Sequence, residues 1–185
     1  MTALVRLELS ADRDAVERLV ADAFGPGRFA KSAYRLREGV NAIGSLSFVA
    51  VLESVLVGTV RFWPVSIGGT SAIMLGPLAV WKDMQGQGIA LKLMQISLTA
   101  ARQQGFQAAI LVGDEPYYAR VGFGRIVPVG RITMPGPVDL SRVLGLALVE
   151  GALDSLKGEV CKPCLDEVVV ALGARLSPLA APAQH

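Results

Sequence analysis

One stretch, Leu75–Gly105 (LGPLAVWKDMQGQGIALKLMQISLTAARQQG), restricts the fold of this chain more than any other. It reads as an apolar strand, a short polar turn with Gly86 and Gly88, and a long amphipathic helix over Gln87–Gln104. Ile89, Leu93, Ile96 and Ala100 fall on one buried stripe, with Ala90, Met94 and Ala101 beside it. Lys92, Gln95, Thr99 and Arg102 fall on the opposite face, and Gly105 stands where a helix-ending glycine belongs. A helix that starts directly behind a glycine turn presents unpaired N–H groups and the positive end of its dipole. That is a seat for a phosphate.

The flanking sequence supplies a sheet for this unit to pack on. Leu4–Leu9 alternates with a period of two, as a half-buried strand does. Ser10 offers a helix N-cap, and Ala15, Leu19, Val20 and Phe24 repeat at helical spacing until Gly25-Pro26-Gly27. A weaker helix is expected over Phe29–Arg37. Leu46–Leu52 and Val55–Trp63 read as a hairpin turning at Glu53-Ser54, and Ile67-Gly68-Gly69 as a second turn into the strand Ala72–Trp81. Gln107–Val112 follows after one helix, so it should lie parallel to that strand through a right-handed crossover. Gly113–Gly122 is a loop with a helical turn, Phe123–Met134 a strand, Pro135-Gly136-Pro137 a break, Arg142–Val149 a last strand and Leu165–Leu176 a terminal helix. This order predicts one α/β domain: a mixed sheet with helices on both faces over residues 1–160, and a C-terminal extension over 161–185 with a frayed tail.

Composition narrows the function. Of 185 residues, 52% are apolar and 18% charged, which excludes a disordered chain and favours a well-buried sheet. The formal net charge is +2 with no basic run, so broad nucleic-acid binding has no electrostatic footprint. The uncharged window Phe62–Trp81 is broken by Pro64, Gly68, Gly69, Gly76 and Pro77 into pieces too short to span a bilayer. Arg6, Glu8, Asp12 and Arg13 interrupt any signal-peptide pattern, and a cytoplasmic protein with no membrane partner is expected. Cys161 and Cys164 form a C-x-x-C pair, but the one histidine is His185, so no metal site is expected and the pair reads as reduced thiols.

The phosphate seat excludes two common ligands. A dinucleotide fingerprint needs a third glycine where Leu91 stands, and a nucleoside-triphosphate loop needs Gly-Lys-Ser/Thr, which is absent. Gly76-Pro77 then interrupts the strand before the turn. Proline cannot donate to a ladder, and glycine within a strand marks a bulge or a close backbone approach. A strand that loses one neighbour there leaves free peptide groups at Leu78–Val80, facing a gap beside residues 107–112. Coenzyme A, with pantetheine amides followed by a diphosphate, has the shape to fill it.

Two motifs then carry a family resemblance. Gln85-x-x-Gly88-x-Ala90 after Leu78-Ala79-Val80 resembles the acyl-CoA signature Q/R-x-x-G-x-G/A of the GNAT superfamily of N-acetyltransferases. Tyr118, four residues before Gly122-Phe123, resembles that family's second signature. The wording LGPLAV…GQGIA…LVGDEPYYARVGF is similar to a bacterial branch of predicted acetyltransferases, over about residues 3–150. The resemblance implies a fold with splayed strands at the cofactor site and acetyl-CoA as acyl donor. It implies that backbone groups of Leu78, Ala79 and Val80 hold the pantetheine arm, one of them polarising the thioester carbonyl. Gln85, Gly86, Gln87, Gly88, Ile89, Ala90 and Leu91 would hold the pyrophosphate, with Lys82 and Lys92 as the nearest cations. Family members often place Arg or Lys in this turn, whereas Gln85 and Gln87 are neutral.

Tyr118 resembles the general acid that protonates the departing thiolate; an ordinary phenol, with pKa about 10, is protonated at neutral pH. The alternative for Tyr118 is a core aromatic packed on Phe123. The central strand has no carboxylate, and Glu38, Glu53, Asp114 and Glu115 read as surface charges, so no general base is assigned. The acceptor, a small-molecule or peptide amine, would enter between Ala11–Arg37 and the C-terminal strands, past Phe48, Phe62, Trp63 and Trp81. The second reading is a non-catalytic acyl-CoA-binding module. The extension after Val160 leaves packing or a homodimer contact open.

Overall fold

The computed structural model describes residues 2–27 and 32–163. The expected helix Leu165–Leu176 and Cys164 lie outside the described residues.

The chain begins with β1 (Leu4–Leu7), an edge strand paired antiparallel with β2. It is shorter than the alternation predicts, and Leu7 and Leu9 are exposed rather than buried. Ser10 is not the helix cap. Ser10–Asp12 form a single 3-10 turn, where the Asp12 carboxylate accepts from the Leu9 N–H at 2.7 Å and pairs with Arg6. The helix α1 (Arg13–Phe24) buries Val16, Leu19 and Val20, and ends where Gly25 takes φ +62° and donates to the Ala21 carbonyl. The short α2 (Ser32–Arg35) stands within the helix expected over 29–37, which is cut short at this end.

The hairpin β2 (Phe48–Leu52) and β3 (Val55–Ile67) turns at Glu53-Ser54 as the sequence predicts, both residues at positive φ. β3 runs on to Ile67, beyond the expected Trp63, and pairs antiparallel with β4 (Thr70–Val80) across the Gly68-Gly69 turn. α3 (Ile89–Gln103) then crosses the sheet, and β5 (Ala108–Val112) pairs parallel to β4 as expected.

The buried stripe of α3 differs from the expected one. Ser97 and Leu98 are buried, whereas Ile96 and Ala100 are only half-buried. A buried serine is tolerated because its hydroxyl donates back to the Leu93 carbonyl at 2.8 Å, so no polar group is stranded. Leu93, Met94 and Leu98 pack with Val57, Val60 and Phe62 on one sheet face. Val16, Leu19 and Val20 of α1 pack with Val49 and Ala79 on the other. The mixed sheet thus carries helices on both faces.

Beyond the short α4 (Glu115–Tyr118), the strand expected over Phe123–Met134 is two fragments, β6 (Gly124–Arg125) and β7 (Ile132–Thr133). Pro128 cannot donate to a ladder, and the Arg131 N–H turns back onto its carbonyl at 3.0 Å. β8 (Val143–Ala147) pairs antiparallel with β5 and β6. A strand that the sequence pattern does not reveal, β9 (Gly158–Cys161), lies on the far end of β3, with Ser66 opposite Cys161, and parallel to β7. The order across the main sheet is β1-β2-β3-β4-β5-β8-β6.

Candidate functional site

The strand pair at the centre of this order is only briefly a pair. β4 and β5 match at Ile73–Ala109 and Met74–Ile110, whereas β4 continues to Val80. Separation follows Met74 and coincides with a register shift against β3, where Phe62 faces Leu75 but Val60 faces Leu78. Gly76 and Pro77 therefore stand together opposite Arg61 alone, a bulge with one extra residue that bends the strand. Beyond the bulge the Trp81 N–H donates to Val57 at 3.0 Å, so Ala79, two residues back, also turns its peptide groups towards β3. By the same alternation Leu78 and Val80 turn theirs to the open side. The predicted gap is thus in place, but its edge is narrower than expected: Leu78 and Val80 face it, whereas the Ala79 peptide groups, expected to be free, are spent on β3.

The turn after β4 carries Gly86 and Gly88, both at φ +79°. Gly88 is the N-cap of α3, in the left-handed region, with no side-chain cap. The first N–H groups of the helix consequently have no partner within it. No atom lies within 4 Å of where a Cβ on Gly88 would sit, so its front is open. The two glutamines turn inwards: Gln85 Nε2 donates to the Val80 carbonyl at 3.2 Å and Gln87 Nε2 to that of Asp83 at 3.4 Å. Lys92 Nζ is held by the Ala3 carbonyl at 2.9 Å. The glutamines bring no charge to the turn, so its backbone dipoles, worth about 0.3–2 kcal/mol towards a single charge, act together with the Lys92 cation beside Gly88.

A cavity of about 490 Å³ lies at the splay, lined by Gly76, Pro77, Leu78, Leu111, Val112 and Tyr118. Tyr118 ends α4 and packs edge-on against Tyr117 and Phe123, with ring centroids at 5.1 and 6.2 Å. It therefore has both the cavity-lining position and the aromatic contact that the sequence leaves as alternatives. Gly113 makes this placement feasible, since a Cβ there would run into the Tyr118 ring. Burial, followed by the nearby Tyr117 and Asp114, pushes the Tyr118 hydroxyl up to about 12, against a smaller pull from Arg142. It holds its proton throughout the neutral range.

The opposite wall comes from segments distant in sequence. α1 contributes Glu17 and Val20, the α2 region Arg37 and Glu38, β3 Arg61 and Trp63, and the loop before β8 Asp139 and Arg142. Most of these charges are engaged. Arg61 forks onto Glu8 at 2.6 and 2.8 Å and reaches Glu17 at 2.8 Å; Arg142 meets Asp114 at 3.1 Å. Asp139 accepts from the Ser141 N–H and hydroxyl, which lowers its pKa. Of the four aromatics expected around the pocket, only Trp63 lines it. Phe48 and Phe62 are core, and Trp81 packs against α1 with its Nε1 on the Leu56 carbonyl at 2.9 Å. Sequence reasoning missed Glu17, Arg37 and Asp139, which have no common motif. Among the described residues no group of three His, Cys, Asp or Glu side chains could hold a metal. No described helix is long and apolar enough to cross a membrane.

With this geometry in place, comparison with known proteins is informative. A family model described as an acetyltransferase (GNAT) domain matches residues 44–125, from just before β2 to the end of β6. The Escherichia coli (strain K12) protein called uncharacterized N-acetyltransferase YhbS is 32% identical over 123 residues, covering 65% of this chain and 72% of the relative. A second protein of that organism, uncharacterized N-acetyltransferase YjhQ, is 31% identical over 117 residues, 61% of this chain and 65% of the relative. The crystal structure of YhbS in complex with CoA matches with a TM-score of 0.74 at 28% identity, over 88% of this chain and 91% of that one. A GNAT family acetyltransferase from Brucella melitensis in complex with acetyl-CoA matches with a TM-score of 0.65 at 25% identity, over 88% and 96%.

Proposed function

The chain belongs to the GNAT family of N-acetyltransferases and uses acyl-CoA as its donor, and from that premise we propose how its residues divide the reaction. The backbone of Leu78–Val80 holds the pantetheine arm along the open edge of β4, Leu78 and Val80 supplying the outward-facing groups. One of these N–H groups polarises the thioester carbonyl. The N–H groups of Gly86–Leu91, with the dipole of α3, hold the diphosphate, and the side chains of Gln85 and Gln87 shape the turn. The observation that carries this reading is the splay itself. It joins an unpaired strand edge, a glycine-capped helix and a cavity large enough for a second molecule.

The acceptor is a primary amine that enters the cavity and attacks the thioester carbon directly. The carbon–nitrogen bond forms, the carbon–sulfur bond breaks, and the Tyr118 hydroxyl gives its proton to the departing sulfur. The amine loses its own proton to water, so the proton count closes when Tyr118 is recharged from solvent. A high pKa suits this role, because the hydroxyl is fully protonated before the step. Among the described residues no Ser, Cys or His lines the cavity, which favours direct attack over a covalent acyl-enzyme. A module that only bound acyl-CoA would have no use for an acceptor cavity opening onto the same splay.

The test is a panel of amines, amino acids and peptides with acetyl-CoA, reading free thiol, alongside calorimetric titration with CoA. Saturable CoA binding together with amine-dependent thiol release is expected. CoA binding without thiol release from any amine would overturn the transfer step and leave only the cradle.

A further inference from the structure

Arg37 sits in this cavity with no counter-charge among the described residues. Its Nε is buried with no hydrogen-bond partner, and no carboxylate pairs with its guanidinium among the described residues. The guanidinium instead lies over the Trp63 ring, 5.7 Å from its centroid. It also rests on the bulge of β4: a Cβ on Gly76 would lie 2.7 Å from Nη2. Trp63 fixes this arrangement from the same side, its Nε1 donating to the Gly76 carbonyl at 2.6 Å. Burial weakens the hold of Arg37 on its proton, down to about 10, with a smaller push from Arg61 and an opposing pull from Tyr34. It remains a cation at neutral pH. A desolvated, unpaired cation costs stability, so it fits a site completed by an anion from elsewhere.

Among the described residues none of the neighbouring carboxylates pairs with Arg37. Glu8 and Glu17 are taken by Arg61, Asp114 by Arg142, and Asp139 by Ser141. The adjacent Glu38 also lines the cavity and is exposed, without an ion pair among the described residues. A molecule carrying both an amine and a carboxylate therefore finds one counter-charge for each within this cavity, that of Arg37 lying at the strand bulge.

We propose that Arg37 receives a carboxylate of the acceptor, making free amino acids and related amino-carboxylates the acceptor class. This rests on the acyltransfer reading above. The planar fork of arginine suits a carboxylate, which can accept two parallel hydrogen bonds from it. Arg37 is then a specificity residue that takes no part in the proton transfers.

The experiment compares matched acceptors with acetyl-CoA: free amino acids, their amides and their decarboxylated amines. We expect kcat/KM to favour the free acids roughly tenfold or more, the scale of one charged hydrogen bond. Arg37→Gln should erase that preference by raising KM for the acids, with KM for acetyl-CoA unchanged; Arg37→Lys should keep part of it. Thermal melting controls for folding. Because an unpaired buried charge is removed, Arg37→Gln should have a Tm no lower than the parent. Equal use of acids and amides overturns the inference and leaves acyltransfer standing, as does a preference that survives Arg37→Gln. A lowered Tm with an unchanged preference makes Arg37 a packing residue. No transfer to these acceptors or to the wider amine panel sinks both readings at once.

Discussion

The two sides of the β4–β5 splay are built on different principles. The side proposed for the donor is main chain: the outward peptide groups of Leu78 and Val80 and the first turn of α3 behind Gly88, with its glutamines and Lys92 hydrogen-bonded to backbone carbonyls. The side proposed for the acceptor is side chain: Arg37, Glu38, Arg61, Trp63 and Arg142, drawn from three separate parts of the sequence. In the proposed reading, peptide groups recognise what every acyl-CoA has in common, an extended amide arm and a diphosphate. Side chains recognise what differs between acceptors. One strand thus separates a generic surface from a selective one, and each can change without the other.

That contrast can be broken by substitution. The largest effect should come from Tyr118→Phe, which keeps the ring contacts and removes the proton. Turnover should fall about 10²–10⁴-fold while calorimetric CoA affinity holds; a loss below threefold would take the proton away from Tyr118. Gly88→Val comes next. A β-branched residue at φ +79° is strained by roughly 1–2 kcal/mol and intrudes on the open front of the turn, so CoA affinity should weaken about tenfold or more. Unchanged affinity would show that the diphosphate does not lie there.

The alkaline stability of the fold supplies a smaller effect. Tyr118 titrates near 10 when unfolded and at about 12 in the fold, so the folded state holds the proton more tightly. Its contribution is intact below pH about 10 and is lost as the pH rises towards about 12, by at most about 2 kcal/mol after allowing for partial exposure. Urea midpoints at pH 9 and pH 11 should diverge more in the parent than in Tyr118→Phe, and equal divergence would contradict the shift. Smallest of all is Gln85→Ala. It removes one hydrogen bond to Val80, worth about 0.5–1.5 kcal/mol, and should cost CoA affinity no more than about tenfold. A larger loss would mean that the side chain itself touches the ligand.

The same division explains what the sequence discloses. The donor side is legible because its parts are consecutive: strand, bulge, glycine turn and helix follow one another from Leu75, and each leaves a local signature. The acceptor side is not, since Arg37 looks like any helix-end arginine until the fold sets it on Gly76. Aromatic type also fails to report direction. Phe62 and Trp63 are neighbours on β3, yet alternation sends the first into the core under α3 and the second into the cavity. The stripe on α3 shifts towards Ser97 because a serine can satisfy itself on its own helix, which a hydrophobic pattern does not register. Pro128 divides a strand that apolar content alone makes continuous. β9 is four residues held by partners far away in sequence, so it has no periodicity to display.

That last strand bears on the order in which the molecule is made. Ile67 is fully buried, opposite Val160, and a Cβ at the neighbouring Gly68 would fall on the Lys157 carbonyl. During synthesis the chain from β2 to α4, including both the bulge and the glycine turn, leaves the ribosome before β9 exists. Closing so long a loop is entropically costly and slow compared with the local pairing of β2, β3 and β4. A nascent chain is thus able to assemble the bulge and glycine turn first, while the distal tip of the β3–β4 hairpin stays wet until residues 157–161 arrive to seal it.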